Sequence, residues 1–428
     1  MPKRTYRALS VKLFDAQKLT DRVKGKVVVV GLDSAKRAQF AGLMLRDKTR
    51  LGIVKWDQIR ATEQADAVSL FKLLVKTAAR VELVLEPSGT YCDPWRHLAE
   101  DVGIAVYRMS PKRVHDYAEV LDGVPSQHDS KSAISLAHLH LEGLSSPWVQ
   151  RPKSQRELGA LVSEADLHQD AAMRSMGRLE GWAARHWPEL HLLLALKSIT
   201  ILKLLARFSG PTDVAQHRAE AGELMQSVGG PALRKGKVEA ILDSAQHTIG
   251  VPTTPAEAAY ARTLAEEILR HKDALKQIGR RAESLSRDVE CVTSMRPILG
   301  LMTSVVLYVK LGDPRDFSSP HAYVKAAGLN LKERSSGQHK GLLKLSKRGS
   351  STARRWLYLA VCRLVHQDRV VQAWYLKKVE RDGGKVRMKA IGAVMRKLTR
   401  ALWHVGRGES FDASKLFDAR RLRPRISA

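Results

Sequence analysis

The 428-residue chain has little cysteine, few aromatics, a shortage of acidic charge and no long apolar run. Its three cysteines, Cys92, Cys291 and Cys362, lie far apart without a CxxC pair. That spacing excludes a disulfide framework and argues against a thiolate zinc site. The longest apolar stretch, Ile298 to Val309, falls short of the roughly 18 residues that span a bilayer. The first residues, MPKRTYRALSVKLFDAQ, are basic and lack an apolar core, so a secretory leader is not expected. Acids number 44 against 72 Lys and Arg, a formal charge of +28. A field of that sign attracts polyanions, phosphate backbones above all. Apolar residues still make up 44%, enough for a packed core. A cytoplasmic, nucleic-acid-associated globular protein with no membrane segment is what remains.

Three regions follow from composition and periodicity. Residues 1–145 alternate strand and helix patterns. VVVVGLD (Val27 to Asp33), AQFAGLML (Ala38 to Leu45) and LGIVKW (Leu51 to Trp56) read as strands of an antiparallel meander. A helix is expected from Ala65, a strand over Val81 to Pro87, a helix over Pro94 to Gly103 and a strand over Ile104 to Pro111. SKSAISLAHLHLEG reads as a further helix, and the order predicts an α/β domain with a mixed sheet. Residues 146–292 are mostly helical, with long heptad-like amphipathic stretches. They suit either a helical spacer or a partner-binding, dimerising arm. Residues 293–428 are the most basic. From Leu331 to Ala428, 25 Lys and Arg face 7 Asp and Glu, a net of +18, ending in the tail ARRLRPRISA.

In the first region, Asp33 ends one apolar strand, Glu86 ends another, and Asp129 precedes a helix. Ligand crevices of open α/β sheets lie at such strand ends. A carboxylate cluster there suits Mg²⁺, and two metals about 3.5–4 Å apart could clamp a phosphodiester. Each acid alone has a plainer role: Asp33 in an Asx turn, Glu86 paired with Arg96, Asp129 capping its helix.

VGLDSAK, LVLEPSGTY and DSKSAISLA resemble the three blocks of the RuvC-like domain in the DEDD transposases of insertion-sequence family 110. The resemblance implies an RNase H-like mixed sheet and four Mg²⁺-holding acids. Asp33, Glu86 and Asp129 match the first three. The fourth position is Ser132, before Ala133, and a hydroxyl is a far poorer Mg²⁺ ligand. Asp122 and His128 are nearby candidates to compensate.

The third region also resembles the family, over YVKAAGLNLKERSSGQHKGLLKLSKRGSSTARRWLYLA from Tyr323. Its recurring elements are Ala327-Gly328-Leu329, Ser336-Gly337, Ser346-Lys347-Arg348-Gly349 and Arg354-Arg355-Trp356-Leu357. By that match Ser336 is the nucleophile that becomes joined to DNA, with Ser335 as its neighbour. The residues themselves read as a cationic surface. Arg334, His339, Lys340, Lys344, Lys347, Arg348, Arg354 and Arg355 suit a scissile phosphate and the charge of its transition state. A phosphate-contacting loop without covalent chemistry would need the same cations. Upstream, RPILG reads as a turn, and Ile298-Leu299-Gly300-Leu301 resembles a helix–hairpin–helix element. Trp356, Tyr358, Trp374, Tyr375 and Trp403 lie among cations but have the spacing of core residues.

The resemblance implies a Mg²⁺-dependent recombinase acting on donor and target DNA. It also implies a guiding noncoding RNA from the element itself, a homodimer or homotetramer, and a cytoplasmic, nucleoid-associated location. Two rivals stay open: a RuvC-like nuclease that uses water, and a nucleic-acid-binding descendant impaired by the loss of the fourth acid.

Overall fold

The computed structural model describes residues 6–87, 89–124, 126–333, 341 and 343–417. The chain divides into two units, Met1–Gln150 and Arg151–Ala428.

The first unit is built on a seven-stranded mixed sheet. Along the chain run β1 (Leu9–Ser10), α1 (Ala16–Val23), β2 (Val27–Ser34), β3 (Ala38–Leu45), β4 (Arg50–Asp57) and α2 (Ala61–Thr77). Then come β5 (Arg80–Leu85), α3 (Asp93–Asp101), β6 (Ala105–Arg108), α4 (Pro111–Asp122), α5 (Asp129–Leu141) and β7 (Ser146–Pro147). The spatial order is β1-β4-β3-β2-β5-β6-β7. The meander β2–β3–β4 is antiparallel, as the tight turn between adjacent strands predicts, and β2, β5 and β6 are parallel neighbours.

Alternation along β2 divides the core in two. Val28, Val30 and Leu32 pack with Phe71 of α2 and Trp95 of α3. Val29 faces the other way, with Val84 of β5, Val114 of α4 and Ile134 and Ala137 of α5. Gly31, two residues on, shares the face of Val29. Helix α5 crosses the sheet there at backbone distance. A Cβ on Gly31 would meet the Ala133 carbonyl oxygen at 2.0 Å and the Ala137 nitrogen at 2.8 Å. A Cβ on Gly42, its partner in β3, would stand 2.9 Å from the same carbonyl.

Four of these elements escape the sequence patterns. β1 and β7 are two residues each, α1 buries only Leu19 and Val23, and α4 buries only Val114 and Ala118. The strand expected over Ile104 to Pro111 is cut to four residues because Pro111 opens α4.

The second unit is almost entirely helical. It runs α6 (Lys153–His186), α7 (Leu190–Leu193), α8 (Ile199–Phe208), α9 (Pro211–Gln216), α10 (Arg218–Gly229), α11 (Lys235–Gln246) and α12 (Pro255–Leu285). It continues with α13 (Glu290–Leu299), α14 (Leu301–Leu311), α15 (Pro320–Ala326), β8 (Leu331–Lys332), β9 (Lys344–Leu345), α16 (Ser351–Gln367), α17 (Arg369–Arg381) and α18 (Arg387–Val405). Helices α6 and α12 lie antiparallel, joined by Arg281–Glu164, by His168 against His271 (Nδ1 to Nδ1, 2.9 Å) and by the Ser175 hydroxyl donating to Glu267. A capping box of Thr254 and Glu257 starts α12. One end of the pair packs with α8–α11 through Trp182, Leu205 and Ile241. The other packs with α13–α18 through Leu161, Val306, Leu357 and Leu398. The turn expected at RPILG is helix as far as Leu299, with Pro297 inside it.

Gly31→Ala tests the approach of α5. The added methyl forces the helix off β2 and lowers stability by about 1–3 kcal/mol or more, measured by urea unfolding. Gly177→Ala, at an exposed position inside α6 where a Cβ meets nothing within 4 Å, holds or raises the midpoint.

Candidate active site

The sheet places two of the predicted acids side by side. Leu32 pairs with Leu85 across parallel β2 and β5, so Asp33 and Glu86 follow at the same carboxyl edge. By alternation Asp33 shares the face of Val29 and Gly31, and Glu86 that of Val84. This is the face α5 covers, and the contact at Gly31 brings the first turn of α5, with Asp129 and Ser132, to Asp33.

Electrostatics records the meeting. The Asp33 carboxyl is pushed up to about 6 by burial, then by the charges of Asp129 and Glu86. Hydrogen bonds from Ser132 and from the Ser34 backbone pull it partly back. The other three predicted positions, Glu86, Asp129 and Ser132, therefore surround the half-buried Asp33 carboxylate. Beside it, the Ser34 hydroxyl is buried without a partner among the described residues.

The plainer roles of the three acids are not realised. Asp33 lies in a strand, paired with Phe40, and not in an Asx turn. Arg96 is taken by Asp93 at 3.5 Å and Glu100 at 2.5 Å, and its guanidinium lies 5.1 Å from the Trp148 ring. The cap of α5 is His128, whose Nδ1 accepts from the Lys131 backbone N–H. Asp129 is thus free of the capping bond and exposed.

Asp122 does not turn toward this cluster. It accepts from Lys131 Nζ at 2.7 Å, and that bond holds its carboxyl below the usual range. Lys131 is 1% exposed, and its ammonium also donates to the carbonyls of Val124 (2.7 Å) and Ser126 (3.2 Å). A buried lysine thus ties the segment before α5 to the helix that carries Asp129 and Ser132. Sequence reasoning passed over it, because a lone Lys between two Ser has the look of a solvated helix face. At the other end of α5, His140 lies between Glu82 of β5 (3.0 Å) and Ser145 (2.7 Å).

Could these residues hold Mg²⁺? The donors are three carboxylates and a hydroxyl, all hard oxygens, and their uncompensated repulsion is what a cation relieves. Among the described residues, however, no three His, Cys, Asp or Glu stand close enough to enclose an ion. The acids are electrostatic neighbours, and the chemistry of the donor set is what fits.

The serine block lies in the second unit. Ser335, Ser336, Arg334, His339 and Lys340 fall outside the described residues. The frame around them is described. β8 and β9 pair antiparallel, Leu331 with Leu345 and Lys332 with Lys344. Beneath them, Gly328 (φ +68°) and Gly349 meet without side chains. A Cβ on Gly349 would stand 2.3 Å from the Ala326 carbonyl oxygen and 2.7 Å from the Gly328 nitrogen. Lys347, at φ +54°, donates its N–H to the Gly328 carbonyl. The Ala-Gly-Leu and Ser-Lys-Arg-Gly elements, distant in sequence, are thus one structure.

The predicted cations separate into two groups. Lys344, Lys347 and Arg348 are exposed around this frame. Arg354 is structural, donating to the Ala327 and Gly349 carbonyls, and Arg355 pairs with Asp166 of α6 at 2.8 Å. The aromatics Trp356, Tyr358, Trp374, Tyr375 and Trp403 pack against the core. At the helix–turn–helix of α13 and α14, Gly300 (φ +75°) makes the turn and Arg363 donates to the Ile298 carbonyl at 3.1 Å.

Residues 290–376 match the model of the Transposase IS116/IS110/IS902 family. The match covers about a fifth of the chain, from α13 into α17, and contains the whole serine block. It supports a transposase function, and with it a DNA partner. No curated protein matches the chain. No helix among the described residues is long and apolar enough to cross a membrane.

The Asp33 carboxyl gives a pH signature. Below pH 4 it is neutral whether the chain is folded or not. Between about pH 4 and 6 the unfolded chain ionises it and the folded chain does not. Stability therefore falls as pH rises through that window, by up to about 3 kcal/mol. A carboxyl titration by NMR gives an apparent value near 6 for Asp33. Asp129→Asn lowers it and Ser132→Asp raises it; a value indifferent to both removes the cluster.

Proposed function

We propose that the chain is a DNA recombinase of the transposase type, with a RuvC-like, RNase H-like first unit and a serine nucleophile in the second. One observation carries the reading: Asp33, Glu86, Asp129 and Ser132 share one electrostatic neighbourhood at the carboxyl edge of the sheet. The family match over the serine block supports it from the other unit.

The proposed chemistry is phosphoryl transfer. Ser336 Oγ attacks the scissile phosphorus, loses its proton and forms the new O–P bond. The bond to the leaving hydroxyl breaks, and that oxygen takes up a proton. The strand end is then held as a phosphoserine ester, and attack by a second strand's hydroxyl releases Ser336 and rejoins the DNA. Lys344, Lys347 and Arg348 neutralise the phosphate as charge builds on its oxygens. Asp33, Glu86 and Asp129 would hold Mg²⁺, which supplies Lewis-acid stabilisation of phosphate oxygens when bound. Ser132 replaces the fourth acid and acts on Asp33 by hydrogen bonding. An RNA from the element pairs with donor and target DNA and selects the sites, while the basic surface grips backbones without reading sequence. The protein works as a homodimer or homotetramer in the nucleoid-associated cytoplasm.

Ser132 favours a second reading, in which the chain binds nucleic acid and no longer cuts it. A recombination assay with the flanking RNA, both DNA substrates and Mg²⁺, stopped in denaturant, separates the readings. The recombinase gives DNA linked to protein. Ser336→Ala abolishes the linked species and cuts turnover by roughly a thousandfold or more. Cleavage that survives Ser336→Ala means water attack. Tight RNA binding with no product, unrescued by Ser132→Asp, means a binding protein.

A further inference from the structure

Helix α18 turns one face to the core, through Ile391, Val394, Leu398 and Leu402. Its other face carries Arg396, Lys397 and Arg400. Gly392, Arg396 and Arg400 stand at i, i+4 and i+8, one line along the helix rising about 6 Å per step. The line starts at the serine-bearing hairpin. A Cβ on Gly392 would lie 3.6 Å from Leu345 of β9.

These three cations crowd one another. Burial and then the neighbouring Arg400 and Arg396 charges hold Lys397 below the usual lysine range; burial and Arg400 hold Arg396 below its own. Their partners among the described residues are neutral. Lys397 Nζ donates to the Leu416 carbonyl at 2.9 Å and sits over the stacked rings of Trp374 and Phe417. Arg400 donates to His321 Nε2 at 3.2 Å. Arg396 Nε is buried with no hydrogen-bond partner among the described residues. Beside them, α18 and residues 409–416 border a cleft of about 380 Å³. Lys397, Arg400, Phe411 and Lys415 line it, along with two acids already engaged. Glu409 bonds His404 at 2.7 Å, and Asp412 accepts from the Ser414 backbone and hydroxyl.

We propose that this face is a phosphodiester track, in which Arg396, Lys397, Arg400 and Lys415 take the backbone of a nucleic-acid strand between the cleft and the serine-bearing hairpin. A partly desolvated cation cluster with no acid partner among the described residues is costly in the free chain, and a row of phosphates offsets that cost along its whole length. The neutral partners position Lys397 and Arg400 without cancelling their charge, while Lys415 also feels the Asp412 carboxylate. The track takes its ligand from the transposase reading and depends on neither Ser336 nor Mg²⁺.

The test is binding of a short random-sequence duplex DNA and of an unstructured RNA to the full-length protein, without Mg²⁺, over a range of salt. Arg400→Gln with Lys415→Gln changes two exposed side chains. It lowers the slope of log K against log salt by about 1.8 on duplex DNA, or by about 1.4 on the single strand. Arg400→Lys with Lys415→Arg restores the slope. Lys235→Gln with Lys237→Gln, the same charge change on α11, leaves it nearly intact. Loss on one probe alone identifies the strand that occupies the track. Slopes equal to wild type on both probes, or a loss matched by the α11 variant, overturn the track. No binding of either probe by the wild type overturns the transposase reading with it. Because only binding is read, a serine that proves inert leaves the track standing.

Discussion

The first unit depends on one contact without side chains, the approach of α5 to β2 and β3 over Gly31 and Gly42. The Ala133 carbonyl occupies the space a Cβ would need at either glycine. That closeness makes Ser132 and Asp129 neighbours of Asp33, since a helix held at ordinary packing distance would keep its first turn away from the strand end. The cost is electrostatic. Asp33 is half-buried beside two other carboxylates, and folding leaves that repulsion in place. Lys131 acts in the opposite sense. It brings a positive charge into the same helix but gives it to Asp122 and two carbonyls, so the acid cluster keeps its negative field.

The second unit solves its corresponding problem with glycines too. Gly328 and Gly349 let two loops touch, and Arg354 ties their carbonyls to the start of α16. The exposed cations Lys344, Lys347 and Arg348 are thereby set on a rigid base, while α18 presents a further row beside them. Six of the 72 Lys and Arg sit on these positions. A polyanion that meets them finds their backbone already fixed, which lowers the entropy cost of binding.

The acid cluster was legible because its signals are local. Asp33 and Glu86 close β-branched apolar runs, and such runs fold as buried parallel or meander strands with predictable ends. Whether those acids meet is not local. It turned on Arg96 choosing Asp93 and Glu100, and on His128 rather than Asp129 capping α5. Lys131 was invisible for the same reason, since its partners come from an irregular segment. α1 and α4 escaped because two buried residues make no readable stripe. The helix through Pro297 runs against local preference, and packing of Cys291, Met295 and Leu299 into the core overrides it. The cations of α18 show the limit of pattern reading. Their spacing is what any solvated face displays, and only their neutral partners set them apart.

The β8–β9 pair closes a loop on itself. Leu331 against Leu345 and Lys332 against Lys344 hold the two ends of the intervening segment together, and the glycine contact beneath locks the base. The frame thus ties residues 331 and 345 together whatever lies between them, and it has no room for a side chain at Gly349, where a Cβ would stand 2.3 Å from the Ala326 carbonyl oxygen. A change at that one base position would therefore be felt at both strand ends at once, although Gly349 lies in neither strand.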